Sequence, residues 1–141
     1  MFLAVIVDLW SRKIIGWALH EKLNAELSVA ALYQALTQRK PKPGLILHTD
    51  RGVEFRAQAM QIWLNKFGIR HSMNRPGQCT DNAEVESFFK TLKSELIYEN
   101  YFPTVTALRN KISDYIRNFY NKVRLHSSLN YVSPIQFEHA A

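Results

Sequence analysis

One cysteine, Cys79, in 141 residues excludes an intramolecular disulfide and any Cys-rich zinc site. Long hydrophobic runs are missing too. The longest, Met1–Val7, is ended by Asp8, far short of the roughly 18 apolar residues that a membrane span needs. No positive charge precedes that run and no small-residue cleavage site follows it, so it reads as a buried strand, not a signal peptide, and the chain as cytoplasmic. Internal repeats, low-complexity tracts and obvious linkers are absent. The expectation is one domain over residues 1–141, with a basic tail from about residue 121.

Hydrophobic residues make up 47% of the chain, enough for a globular core without covalent staples. The net charge is +6 and the sequence pI about 9.6. Such a balance attracts polyanions by steering and counterion release, so nucleic acid stands beside a plain basic protein as a reading.

Phe2–Asp8 and Lys13–Trp17 are rich in Val, Ile, Leu and Trp around a turn-like Leu9-Trp10-Ser11-Arg12, which predicts a β-hairpin. Asn24 is placed to cap a helix over about 25–39 with an apolar stripe at Leu27, Ala30/Ala31, Ala35 and Leu36; Pro41, Pro43 and Gly44 stop it. Leu45-Ile46-Leu47 is too short for a helix and predicts a strand buried on both faces. A second helix is expected near Ala57–Phe67, ended by Gly68, and a short strand at Ile69–Met73. Asn74–Thr80 reads as a loop. Asp81 with Glu84 gives a capping-box pattern for a helix reaching about Tyr98. Helices follow at about Val105–Tyr120 and Ser133–Glu138. This order predicts an α/β fold, a mixed sheet covered by helices. Trp10, Trp17 and Trp63 are expected to be core or half-buried and not base-stacking, His48 a packed or hydrogen-bonded histidine, and Cys79 incidental.

Asp50 stands at the carboxyl end of the Leu45–Leu47 strand, where ligands gather in open α/β sheets; taken alone it is as easily a turn aspartate. Glu86, Lys90 and Lys93 recur at helical spacing on a face distinct from Val85, Phe88/Phe89, Leu92 and Leu96. Singly they read as a solvated helix face. Together they say more. Thirty-five residues separate Asp50 from Glu86, and Lys93 lies seven positions beyond Glu86. A strand-end carboxylate and a helix carboxylate suit one hard cation, Mg²⁺ or Mn²⁺, and no His/Cys cluster argues for zinc. Lysines on the same helix suit phosphates near that cation.

Four ordered segments, FLAVIVDLWSRKIIGWAL, LILHTDRGVEF, GIRHSMNRPGQCTDNAEVESFFKTLKSELIY and YNKVRLHSSLNYVSPIQFE, resemble the integrase core of bacterial transposases of the insertion-sequence-three family, relatives of retroviral integrase. The likeness covers nearly the whole chain. It implies an RNase H-like fold and metal-dependent DNA strand cleavage and transfer with two Mg²⁺ ions, on transposon ends and target DNA, by a homo-multimer. Asp50 matches the second carboxylate and Glu86 the third; Lys93 matches a basic position near the cut, with Lys90 beside it. Arg124, His126 and Ser128 fall in the C-terminal motif, where they touch phosphate (Arg124 above all) or fasten the tail, the second being favoured.

The same resemblance makes Asp8 a turn aspartate, not a metal ligand. It places the first catalytic aspartate on a central strand upstream of position 1, so that this chain alone is expected to be catalytically inert. Phe2–Val7 then pairs directly with Leu45–Leu47, or a gap remains, or another chain fills it. Two other functions stay open on the residues: an inactive fragment that binds DNA or full-length transposase, and an RNase H-like nuclease acting only by hydrolysis.

Overall fold

The computed structural model describes residues 1–77 and 82–141, which divide into two units: Met1–Ile6 with Ile15–Val85, and Val7–Ile14 with Glu86–Ala141. The expected cap at Asp81 and the incidental Cys79 lie outside the described residues.

In the first unit, β1 (Phe2–Val7) pairs with β2 (Ile14–His20). Helix α1 (Ala25–Arg39) begins where expected, because the Asn24 side chain accepts from the backbone N–H of Glu26 and Leu27. Lys40, in the left-handed region, closes it through its N–H to the Leu36 carbonyl. Then come β3 (Ile46–Thr49), the single turn α2 (Val53–Arg56), α3 (Gln58–Lys66) and β4 (Arg70–Met73). The core is Ala4 and Ile6 of β1, the Leu27/Ala31/Leu32/Ala35/Leu36 face of α1, Met60 and Leu64 of α3, and Ile69. Gly16 lets β2 lie directly on α1. A Cβ there would stand 2.2 Å from the Ala31 carbonyl oxygen and 3.0 Å from the Ala35 nitrogen, so only glycine permits this approach.

The strands form two separate pairs. β3 runs parallel to β4, with Ile46 opposite Arg70 and Thr49 opposite Met73, while β1 pairs with β2. No ladder joins β1 to β3 among the described residues, so the direct pairing of Phe2–Val7 with Leu45–Leu47 considered above is not the one observed. Leu45 and Ile46 are therefore not buried on both faces as expected. They are 51% and 58% exposed, and among the described residues β3 has a strand neighbour, β4, on one edge only. Trp10 likewise departs from expectation: it is 56% exposed at the hairpin turn.

The second unit is helical. α4 (Ala83–Leu92) buries Phe88 and Leu92 and runs on into a π-type turn, Lys93–Ile97, closed by the Tyr98 N–H on the Lys93 carbonyl. α5 (Val105–Asp114), capped by the Thr104 hydroxyl, continues the same way through Tyr115–Tyr120. α6 (Pro134–His139) carries a full capping box between Ser133 and Gln136. Phe88 packs edge-on against Tyr120 with ring centroids 4.9 Å apart. No helix among the described residues is long and apolar enough to cross a membrane.

Candidate active site

Asp50 follows the last residue of β3. Its Oδ1 accepts the Gly52 N–H at 2.7 Å, an Asx-type turn that fixes the carboxylate at the strand end. Behind it lies a polar lattice. The His48 ring bonds Ser72 Oγ at 2.9 Å and Asn74 Oδ1 at 2.7 Å through its two nitrogens. His71 bonds Thr49 Oγ1 at 2.8 Å and Gln61 Nε2 at 2.9 Å. Burial, and then the neighbouring His48, hold the His71 imidazole below its ordinary value. His48 is thus the hydrogen-bonded histidine expected. Arg51 donates from Nε to the Asn74 carbonyl at 2.8 Å, bridging the ends of β3 and β4.

Glu54 was not anticipated. It is buried, 7% exposed, and its Oε2 has no hydrogen-bond partner among the described residues. Its carboxylate occupies the space a Cβ on Gly52 would fill, and its carbonyl accepts from the Ser28 hydroxyl. Glutamate is normally a surface residue, so no periodicity pointed to it. The nearness of Gly52 was the one available signal.

Glu86 and Lys90 are exposed on α4 and Lys93 is exposed at the start of the π-type turn that follows it, and none of the three side chains has a hydrogen bond or ion pair among the described residues. Asp8 is committed to its turn, with Oδ1 accepting from the N–H of Trp10 at 2.9 Å and of Ser11 at 3.3 Å. No group of three His, Cys, Asp or Glu side chains that could hold a metal occurs among the described residues. Asp50 and Glu86 each offer carboxylate oxygens, the kind of ligand that a hard divalent cation such as Mg²⁺ takes.

Arg124 is held within the second unit. Its Nε donates to Glu95 Oε1 and Oε2 at 3.1 and 3.0 Å, its Nη2 to Oε2 at 2.8 Å, and its guanidinium lies over the Tyr120 ring. Burial alone would raise the Glu95 carboxyl. The hydrogen bonds from Arg124 and Tyr115 outweigh that and hold it below the usual range. Asn121 fastens the hairpin turn: its Oδ1 accepts the Ile14 N–H at 2.9 Å, and its Nδ2 donates to the Ile14 carbonyl at 3.0 Å. His126 packs edge-on against Tyr120 and pairs with Val132. Ser128 is exposed.

Burial holds the His126 imidazole below its ordinary 6.5, and Arg124 adds to this against the Tyr120 carbonyl. The unfolded chain therefore binds more protons than the folded one as the pH drops. Stability from this neutral imidazole is complete above about pH 6.5 and is lost progressively below it. Thermal unfolding should show a falling midpoint between pH 7.5 and 5.5, and His126→Gln should flatten the fall. An equal fall in that variant would assign the effect to other groups.

The family profile described as Integrase core domain matches residues 1–79, and a second profile with the same description matches residues 67–134. The chain belongs to the integrase core domain family. Its 138 aligned residues are 42% identical to the transposase for insertion sequence element IS904 of Lactococcus lactis, covering 98% of this chain and 54% of that protein. Transposase InsF of insertion sequence IS3A from Escherichia coli is also 42% identical, over 98% of this chain and 48% of its own length. The chain thus spans about half the length of the curated relatives it matches. This integrase core shares its fold with retroviral integrases. A chain of the simian T-cell lymphotropic virus intasome, solved in complex with PP2A regulatory subunit B56 gamma, aligns with a TM-score of 0.76 at 20% identity, over 99% of this chain and 48% of that one. The HTLV-2 integrase catalytic core, solved in complex with magnesium, aligns at 0.66 and 20% identity, over 97% and 84%. The fold is accordingly α/β and RNase H-like.

Proposed function

We propose that this integrase core carries out metal-dependent DNA strand cleavage and strand transfer as part of a transposase, with Asp50 and Glu86 as its carboxylate ligands and Lys90 and Lys93 along the DNA path. The observation that carries this is the 42% identity, over 138 residues, to proteins named as transposases, in a chain with 35 residues between Asp50 and Glu86.

A divalent cation, Mg²⁺ or Mn²⁺, would supply Lewis-acid stabilisation of charge on the reacting phosphate. The protein's part is positional. The turn at Gly52 presents the Asp50 carboxylate at the strand end, and the exposed face of α4 offers Glu86 with lysines on the following turns. In strand transfer, the oxygen of a 3′ hydroxyl bonds to a target phosphorus as the bond from that phosphorus to its own 3′ oxygen breaks; the displaced oxygen takes up a proton. Lys90 and Lys93 hold the DNA by phosphate contacts, which position without reading sequence. Arg124 is retained as a candidate DNA contact of lower rank, since Glu95 already engages three of its N–H···O bonds. A homo-multimer on paired DNA ends is the working assembly.

A chimera tests the reading: the Lactococcus transposase with its matching 138 residues replaced by this chain. It should join ends of that element to target DNA with Mg²⁺ and fail when the metal is chelated. Release of nicked DNA without any joined product would favour a nuclease instead.

A further inference from the structure

We infer that Arg51 is a DNA-phosphate contact of the Asp50 site, held ready by its bond to Asn74. This rests on the DNA reading above. A guanidinium carries five N–H donors. The Nε of Arg51 is spent on the Asn74 carbonyl at 2.8 Å. The four N–H groups of its two Nη nitrogens have no partner among the described residues, and the residue is exposed.

The anchor is itself fixed. Asn74 is 5% exposed; its N–H donates to the Thr49 carbonyl at 2.9 Å, and its Oδ1 bonds the His48 ring at 2.7 Å. The bond therefore stiffens the base of the Arg51 fork while leaving the two-nitrogen end open. Most exposed arginines are free along their whole length and lose rotamer entropy on binding; this one has given up part of that freedom already.

Arg51 also directly follows Asp50, yet makes no ion pair with it among the described residues. A neighbouring cation that leaves the carboxylate unpaired keeps Asp50 open to a metal and still sets positive charge at the same strand end. An open guanidinium fork fits two oxygens of a phosphodiester. The occupant is thus the DNA backbone, bound without regard to base sequence.

Binding of this chain to a random-sequence duplex, followed by fluorescence anisotropy across a salt series, tests the inference. Arg51→Ala should reduce the slope of log K against log salt by about one unit, the release expected for one lost phosphate contact. Arg51→Gln separates the charge from the tie, since its amide retains a donor for Asn74; it should lose the same unit of slope while keeping the wild-type unfolding midpoint. A wild-type slope in the Gln variant overturns the inference and leaves Arg51 as a tie between strand ends. Wild-type protein that binds with no salt dependence overturns both this inference and the DNA reading beneath it.

Discussion

Strand joining by the chimera should fall at least about a thousandfold in Asp50→Asn and in Glu86→Gln, with folding unchanged, equivalent to about 4 kcal/mol of lost transition-state stabilisation. Each substitution keeps the size and one oxygen of the side chain and removes its charge. Asp50→Asn retains an acceptor for the Gly52 N–H, so the turn should survive. Glu86 is exposed, so Glu86→Gln leaves no cavity and orphans no buried group. A large loss of joining without loss of structure therefore separates chemistry from stability. Circular dichroism and unfolding midpoints within about 2 °C of wild type are the control, a shift of under about 1 kcal/mol for a chain of this size. Normal joining in either variant removes that residue from the mechanism.

Asn121→Ala should cost about 3 kcal/mol of stability, a fall of roughly 10 °C in unfolding midpoint. Ile14 is 2% exposed and Asn121 5% exposed. The amide of Asn121 serves both backbone groups of Ile14, one as acceptor and one as donor. Truncation leaves a buried N–H and a buried C=O unpaired, each costing about 1–3 kcal/mol unless water enters. Asn121→Asp preserves only the acceptor role and should also destabilise. Urea unfolding read at equilibrium checks this. A midpoint unchanged in Asn121→Ala would mean that the hairpin turn is held by other contacts.

Local signals in the sequence translated well. Asn24 caps α1, Gly68 ends α3 with a positive φ, and Ser133 opens α6, because each acts on backbone groups a few residues away. The apolar stripe of α4 was equally legible: Phe88, Leu92 and Leu96 are buried as their spacing requires. Burial set by distant partners was not legible. Leu45 and Ile46 look like core residues, and their exposure goes with β3 having a single strand neighbour among the described residues, which no local pattern encodes. Asn121 lies 107 positions from the backbone it pairs with, and Glu54 is a charged residue in a buried place. Of the candidate site, the identities of Asp50 and Glu86 came from spacing and resemblance. The Arg51–Asn74 tie and the histidine lattice behind Asp50 needed the strand register.

The proposal that Asp50 and Glu86 serve a single cation is tested most directly by Mn²⁺ binding to the chimera. Affinity would be read by electron paramagnetic resonance in the wild type, in Asp50→Asn, in Glu86→Gln and in the double variant. With one shared ion, each single variant should lose most of the binding and the double variant little more, a strongly non-additive cycle. Losses that simply add, or a Glu86→Gln variant that binds Mn²⁺ as tightly as wild type, would contradict it.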